Sequence, residues 1–142
     1  MAPANKIPVI LDTDIGGDID DTWALVMLLN SPELDIRLIL TTGHNTGYKA
    51  RIVARMLEIA GRTDIPIGVG EPSSDAPGFQ AAWLDGFDMS RYAGAVYGDG
   101  VARLAQCVMD SPELVTIIAI GPLGSVAAAL RMQPSIAHKA RV

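Results

Sequence analysis

The chain has 142 residues, 49% hydrophobic and 19% charged, with 16 acidic against 11 basic side chains for a formal net charge of −5. That length fits one ordinary domain whose core needs no staple, the single cysteine, Cys107, excludes a disulfide framework and a cysteine-based zinc site, and the acid excess argues against nucleic acid, which draws surplus Lys and Arg. No signal peptide is readable, and the longest uncharged stretch, Leu114 to Leu130, is broken by Gly121-Pro122 and too short to cross a bilayer, so the reduced cytoplasm is the default compartment and no membrane partner is expected.

Ile7 to Thr13 is a short aliphatic run that reads as a buried strand, ending at Asp12-Thr13-Asp14 with Gly16 and Gly17 as a turn. From Asp20 the apolar positions Trp23, Ala24, Met27 and Leu28 share one helical face, with Asp20 or Asp21 placed to cap it. Ser31-Pro32 ends that helix, and Ile36 to Thr42 reads as a second strand. Tyr48 to Ala60 is a second amphipathic helix, with Ile52, Val53, Met56, Leu57 and Ala60 inward, Lys49, Arg51 and Arg55 outward, and Gly61 closing it. Ile65 to Val69 follows as a third strand. Gly70 to Gly98, with Pro72, Pro77 and Trp83, has no sustained period and is the candidate long loop or flap. Gly100 to Met109 returns to helix, Leu114 to Ile120 to strand and Leu123 to Met132 to helix.

Ser-Pro-Glu-Leu occurs at 31–34 and again at 111–114, each time between a helix and a strand. Alternating strands and helices imply an α/β fold, a mostly parallel open sheet with helices on both faces. Ligands of such sheets bind beyond the carboxyl ends of the strands, where the Asp cluster and Gly121-Pro122 both fall.

The charge is not spread evenly. Asp12, Asp14, Asp18, Asp20 and Asp21 fall within ten residues without a base among them; removing these 5 from 16 acids leaves 11 acids against 11 bases. Carboxylates a few Å apart repel by on the order of several kcal/mol per pair. A helix N-terminus offsets about half a charge, whereas a hard cation, Ca²⁺ or Mg²⁺, offsets far more. A helix cap with solvated loop acids is the plain alternative. An EF-hand loop from Asp12 fails, because Gly16 and Trp23 stand where acids are needed. A haloacid dehalogenase-like phosphohydrolase would use Asp12 as nucleophile and Asp14 as acid/base, but leaves Asp20-Asp21 unexplained. A dinucleotide fingerprint fails, because Gly68-x-Gly70 lacks a third glycine.

The run Val9-Ile-Leu-Asp-Thr-Asp-Ile-Gly-Gly-Asp-Ile-Asp-Asp-Thr-Trp-Ala-Leu25 resembles the N-terminal signature of the nucleoside hydrolases of inosine-uridine-preferring type, in the variant with extra residues before the Asp doublet. Further matches are Thr41-Thr42, Gly61-Arg-Thr-Asp-Ile-Pro-Ile-Gly-Val-Gly70 and Ile117-Ile-Ala-Ile-Gly-Pro-Leu-Gly-Ser-Val-Ala127, so the resemblance spreads from Pro8 to about Ile136. It implies a Rossmann-like nucleoside hydrolase fold and Ca²⁺-dependent hydrolysis of the N-glycosidic bond of a ribonucleoside. Asp14, Asp21 and the backbone carbonyl of Ile120 would be Ca²⁺ ligands, Asp20 the general base, Asn45 a substrate contact, and Asp12 an acceptor bracing the site from behind.

Family members are about twice this length. The resemblance therefore implies that residues 1–142 are the N-terminal part of one domain, incomplete at the C-terminal side, with weak metal binding and little activity alone. A non-catalytic half-domain that binds a metal or a partner is the other class of reading. A homo-oligomer is expected. His44 departs from the Gly usual before the Asn, and Gly124-Ser125 replaces Thr-Asn. Phe79, Trp83, Phe87 and Tyr92 could stack on a base or pack into the core, and Asp18 has no implied role.

Overall fold

A strand buried on both faces needs an unbroken apolar run rather than alternation, and Pro8 to Leu11 supplies one. In the computed structural model, which describes residues 6–142, this run lies at the centre of a sheet. The elements are β1 (Ile7–Thr13), α1 (Asp20–Leu29), β2 (Leu34–Thr41), α2 (Thr46–Ile59), β3 (Ile67–Val69), β4 (Val96–Tyr97), α3 (Gly100–Asp110), β5 (Val115–Ala119), α4 (Gly124–Met132) and β6 (Ala140–Arg141). The strand order is β4-β3-β2-β1-β5-β6, and every pairing is parallel.

Successive side chains of β1 point to opposite faces and so enter different cores. Val9 and Leu11 pack with Leu25, Leu28, Ile52, Val53 and Leu57 of α1 and α2. Ile10 packs with Leu38, Leu40, Leu104, Val108, Val126 and Ala129, which puts α3 and α4 on the other side. The expected parallel α/β sheet with helices on both faces is what forms, and both Ser-Pro-Glu-Leu segments join a helix to the next strand.

Three readings of helix faces are corrected. Trp23 and Met27 are 67% and 70% exposed, whereas Asp21, Leu25 and Leu28 are buried. The second residue of the helix is a buried carboxylate, so its inward face is set by i, i+4, i+7 from Asp21, and Trp23 and Met27 turn outward. Lys49, expected outward, is only 5% exposed, because it lies three and four residues before the buried Ile52 and Val53. Ala60 is exposed, since α2 ends at Ile59.

Segment 70–98 is less irregular than its sequence. It contains two 3₁₀ turns, Ala81–Leu84 and Met89–Arg91, and the two-residue β4. Leu84 is buried, and Phe87 and Tyr92 pack against the α1/α2 core. Among the described residues, no helix is long and apolar enough to cross a membrane.

Candidate active site

Because β1 is central and parallel, its carboxyl end opens at the edge where connections leave the sheet. The residues from Asp14 to Ile19 form the turn into α1. Gly16 takes φ +97, and a Cβ there would lie 2.7 Å from the Tyr48 ring, so the turn requires glycine. Thr13 sits between two aspartates and points its hydroxyl across the turn. Its Oγ1 donates to Asp21 Oδ2 and accepts from the Ile15 N–H at 3.1 Å. The Asp14 N–H donates to the same Asp21 oxygen at 3.1 Å.

Neither Asp20 nor Asp21 caps α1, contrary to the sequence reading. Ile19 occupies the N-cap without a side-chain bond, and the two aspartates form the first turn. The Asp21 carboxylate is bound back to β1 instead. Burial raises its pKa, the Thr13 hydroxyl opposes that shift, and the charge of Asp14 adds to it.

Asp12 is fully buried, and among the described residues neither of its carboxylate oxygens has a hydrogen-bond partner. Burial, followed by the nearby charge of Asp14, pushes its pKa up to about 7. Its main-chain oxygen accepts from the Ile120 N–H at 2.9 Å, which fixes the end of β5 beside the end of β1.

A cavity of about 540 Å³ opens at this edge. It is lined by Asp14, Asp18, Asp20, Asp21, Ile120, His44, Asn45, Tyr48, Lys49 and Phe79, among others. The residues expected to act together, Asp14, Asp20, Asp21, Asn45 and Ile120, therefore share one pocket, while Asp12 lies behind it. Of the four aromatic candidates only Phe79, 88% exposed, lines this cavity. Trp83 lies instead in an apolar groove with Met56 and Ile59.

Asn45 serves two structural ends besides lining the pocket. Its Oδ1 accepts from the Tyr48 N–H at 2.9 Å, capping α2, and its Nδ2 donates to the Asp75 carbonyl at 2.8 Å. His44 beside it holds a positive φ of 48. The far wall is tied down by Gln80, which is buried. Its amide oxygen accepts from Thr22 Oγ1 at 3.1 Å, and its backbone N–H donates to the Tyr48 hydroxyl oxygen at 3.1 Å. The Tyr48 hydroxyl in turn donates to the Gly16 carbonyl at 3.0 Å.

Among the described residues, no three His, Cys, Asp or Glu side chains are grouped closely enough to hold a metal by themselves. Apart from His44, what the pocket offers is oxygen donors, chiefly the carboxylates of Asp14, Asp20 and Asp21 and the main chain of Ile120. That chemistry suits a hard cation rather than zinc or copper. Thr13, Tyr48, Lys49 and Gln80 were not singled out from sequence for this site. Lys49 had a readable signal in its spacing from Ile52 and Val53, whereas Gln80 reaches the turn only through long-range folding.

The matches with known proteins fall on the same region. The chain matches the family model described as inosine-uridine preferring nucleoside hydrolase over residues 9–142. It is 36% identical to the pyrimidine-specific ribonucleoside hydrolase RihA of Citrobacter koseri over 145 residues, covering 94% of this chain and 45% of that protein. A solved plant nucleoside hydrolase, PpNRh1, superposes with a TM-score of 0.73 at 31% identity, covering 96% of this chain and 46% of that one. An inosine-uridine preferring nucleoside hydrolase from Bacillus anthracis shares the fold, with a TM-score of 0.77 at 18% identity over 94% of this chain and 48% of its own. The chain thus spans about half the length of the relatives it matches. With the family match running from β1 to the last residue, and the acidic turn at its start, the chain belongs to the inosine-uridine preferring nucleoside hydrolase family.

Proposed function

We propose that the protein hydrolyses the N-glycosidic bond of ribonucleosides with Ca²⁺ as its cofactor, giving ribose and a free base. The observation that carries this is the convergence of Asp14, Asp20 and Asp21 on one cavity of about 540 Å³ at the carboxyl end of the central strand, with Asn45 and Ile120 on its walls. Family membership supports the reaction class, and the RihA relative, named as pyrimidine-specific, makes uridine the first substrate to try.

In this reading Asp14, Asp21 and the main-chain carbonyl of Ile120 would hold the cation. Such an ion, when bound, supplies Lewis acidity that lowers the pKa of water and grips vicinal hydroxyls. The donors fit it, being all oxygen: Thr13 and the Asp14 N–H both bind the same Asp21 oxygen, Oδ2. Asp20 takes the proton from the attacking water. Its position one residue from Asp21 brings it to the same pocket, and no capping bond occupies it. As the water oxygen bonds to the ribose anomeric carbon, the bond to the base breaks and its electron pair leaves with the base nitrogen. Nearby carboxylates favour the positive charge that develops on the sugar. Asn45 contacts the ribose side, and Asp12 supports the strand end from behind.

The phosphohydrolase alternative fares badly on geometry. Its nucleophile would be Asp12, which has no exposed surface and does not line the cavity.

The test is release of base from uridine and inosine by the protein as its gene encodes it, with and without added Ca²⁺. Asp20→Ala is expected to lower turnover by at least a hundredfold while Ca²⁺ binding, followed calorimetrically, persists. Retained turnover in that variant would remove Asp20 from the role.

A further inference from the structure

A buried lysine facing an acidic pocket invites the expectation of an ion pair, yet among the described residues Lys49 makes none. The salt bridges among the described residues are Arg37–Asp35 and Arg62–Asp64, both on the surface. The Lys49 ammonium, on a side chain 5% exposed, donates instead to two main-chain carbonyls of the acidic turn, those of Asp14 and of Ile15, the latter at 3.3 Å. It still lines the cavity with Asp14, Asp18, Asp20 and Asp21. A positive charge is thus placed inside a ring of carboxylates without occupying a single carboxylate oxygen.

We propose that Lys49 is a positioning residue: a built-in counter-ion that braces the Asp14-Ile15 backbone and holds the acidic turn in shape before any ligand enters, leaving the carboxylate oxygens free. The inference goes beyond the assigned roles, and its metal-binding consequence rests on the proposed cation site.

The physical case has two parts. An ammonium has three N–H donors and no acceptor, so two carbonyls from successive residues fix both its place and the turn's. A Coulombic attraction at this range does not need contact, so Asp14 and Asp21 feel the charge through a partly desolvated interior. Burial lowers the pKa of Lys49, and the charges of Asp14 and Asp21 oppose that shift, which is how the two carboxylates and the ammonium stabilise one another. A neutral residue at 49 would leave two turn carbonyls without their donor and the pocket without the Lys49 charge.

These roles separate experimentally. In metal-free buffer at fixed pH, denaturant unfolding is measured for the wild type, Lys49→Met, Asp21→Asn and the double variant. If Lys49 acts as counter-ion, Lys49→Met raises the unfolding constant at least threefold less in the Asp21→Asn background than in the wild type. Additive effects within a factor of two would reduce Lys49 to an ordinary packed side chain and overturn the proposal. Should Lys49→Met fail to fold, Lys49→Gln, which keeps a donor for the carbonyls, carries the same cycle.

Calorimetric titration with Ca²⁺ alone provides the second arm. Deleting a positive charge next to a cation site should tighten binding by electrostatics alone. The brace requires the opposite, at least tenfold weaker Ca²⁺ binding in Lys49→Met than in wild type, and equal or tighter binding would overturn it. If the wild type itself binds no Ca²⁺, the cation reading fails and the metal-free cycle alone decides the role of Lys49.

Discussion

The hydroxyl of Thr13, last residue of β1, donates to the carboxylate of Asp21, second residue of α1, inside the protein and across an eight-residue separation. This bond closes the acidic turn on itself. It uses the same oxygen of Asp21 that accepts from the Asp14 N–H, and so fixes the orientation of the carboxylate at the cavity.

Removing that hydroxyl should therefore act on both fold and site. Thr13→Val keeps the β-branched shape but leaves a buried carboxylate oxygen short of a donor, a loss of about 1–3 kcal/mol. Thr13→Ser, which retains the donor, is expected to cost less. Urea unfolding of the two variants in EDTA provides the comparison, and equal stabilities would show that the bond does not hold the turn.

Asp12 sets a pH dependence whose sign follows from its burial. Its carboxyl is pushed up from 3.8 to about 7 in the folded chain, so between those values the native state binds a proton that the unfolded state has lost. The associated stability is fully present below the unfolded pKa and is lost as pH rises through about 7. In metal-free buffer the free energy of unfolding should fall between about pH 4 and 7, by a few kcal/mol at most, and level off above. Asp12→Asn, neutral throughout, should flatten that fall. An unchanged slope would locate the pH response elsewhere.

Much of this was legible in the sequence because the physics involved is local. The apolar run of β1, the glycines behind Asp14 and the charge excess from Asp12 to Asp21 each depend on neighbours in sequence, and they led to the central strand, the turn and the pocket. The errors share a different cause. Trp23 and Met27 read as core because their spacing is helical, but spacing cannot say which of two apolar stripes turns inward when a buried Asp21 decides it. Lys49 read as solvent-facing because lysine usually is, and only the acidic turn from a distant strand makes its burial favourable. β4, two residues long, carries too little pattern to be seen, whereas β6 falls at Ala140–Arg141, where a further strand is expected to begin. Gln80 reaches Thr22 across 58 residues, a contact no local rule anticipates.

The wall formed by segment 70–98 depends on a close backbone approach. A Cβ on Gly78 would lie 2.1 Å from the Gly16 carbonyl oxygen and 2.8 Å from the Tyr48 ring, and the first of these is main chain on a fixed turn. Gly78→Ala must therefore lift the segment, at an overpacking cost of about 1–3 kcal/mol. Amide hydrogen exchange across residues 76–84 should speed up, with Gln80 losing its hold on Thr22 and Tyr48. Gly17→Ala, where a Cβ meets nothing within 4 Å, is the control. Equal protection in the two variants would count against the close approach.

His44 offers the last test, and its direction is toward gain. The residue holds φ +48, a left-handed conformation that costs an L side chain roughly 1–2 kcal/mol and glycine much less. Its backbone is bound on both sides: the N–H donates to Ser73 Oγ at 3.1 Å, and the carbonyl accepts from the Ser73 N–H at 2.9 Å. The conformation is thus imposed by the partner segment rather than chosen by the side chain. His44→Gly should raise stability by up to about 1 kcal/mol, the relief of strain exceeding the added freedom of the unfolded chain. His44→Val, β-branched, should lower it. Thermal unfolding of both variants decides the matter, and a His44→Gly variant less stable than wild type would mean that the imidazole makes a favourable contact outweighing its strained backbone.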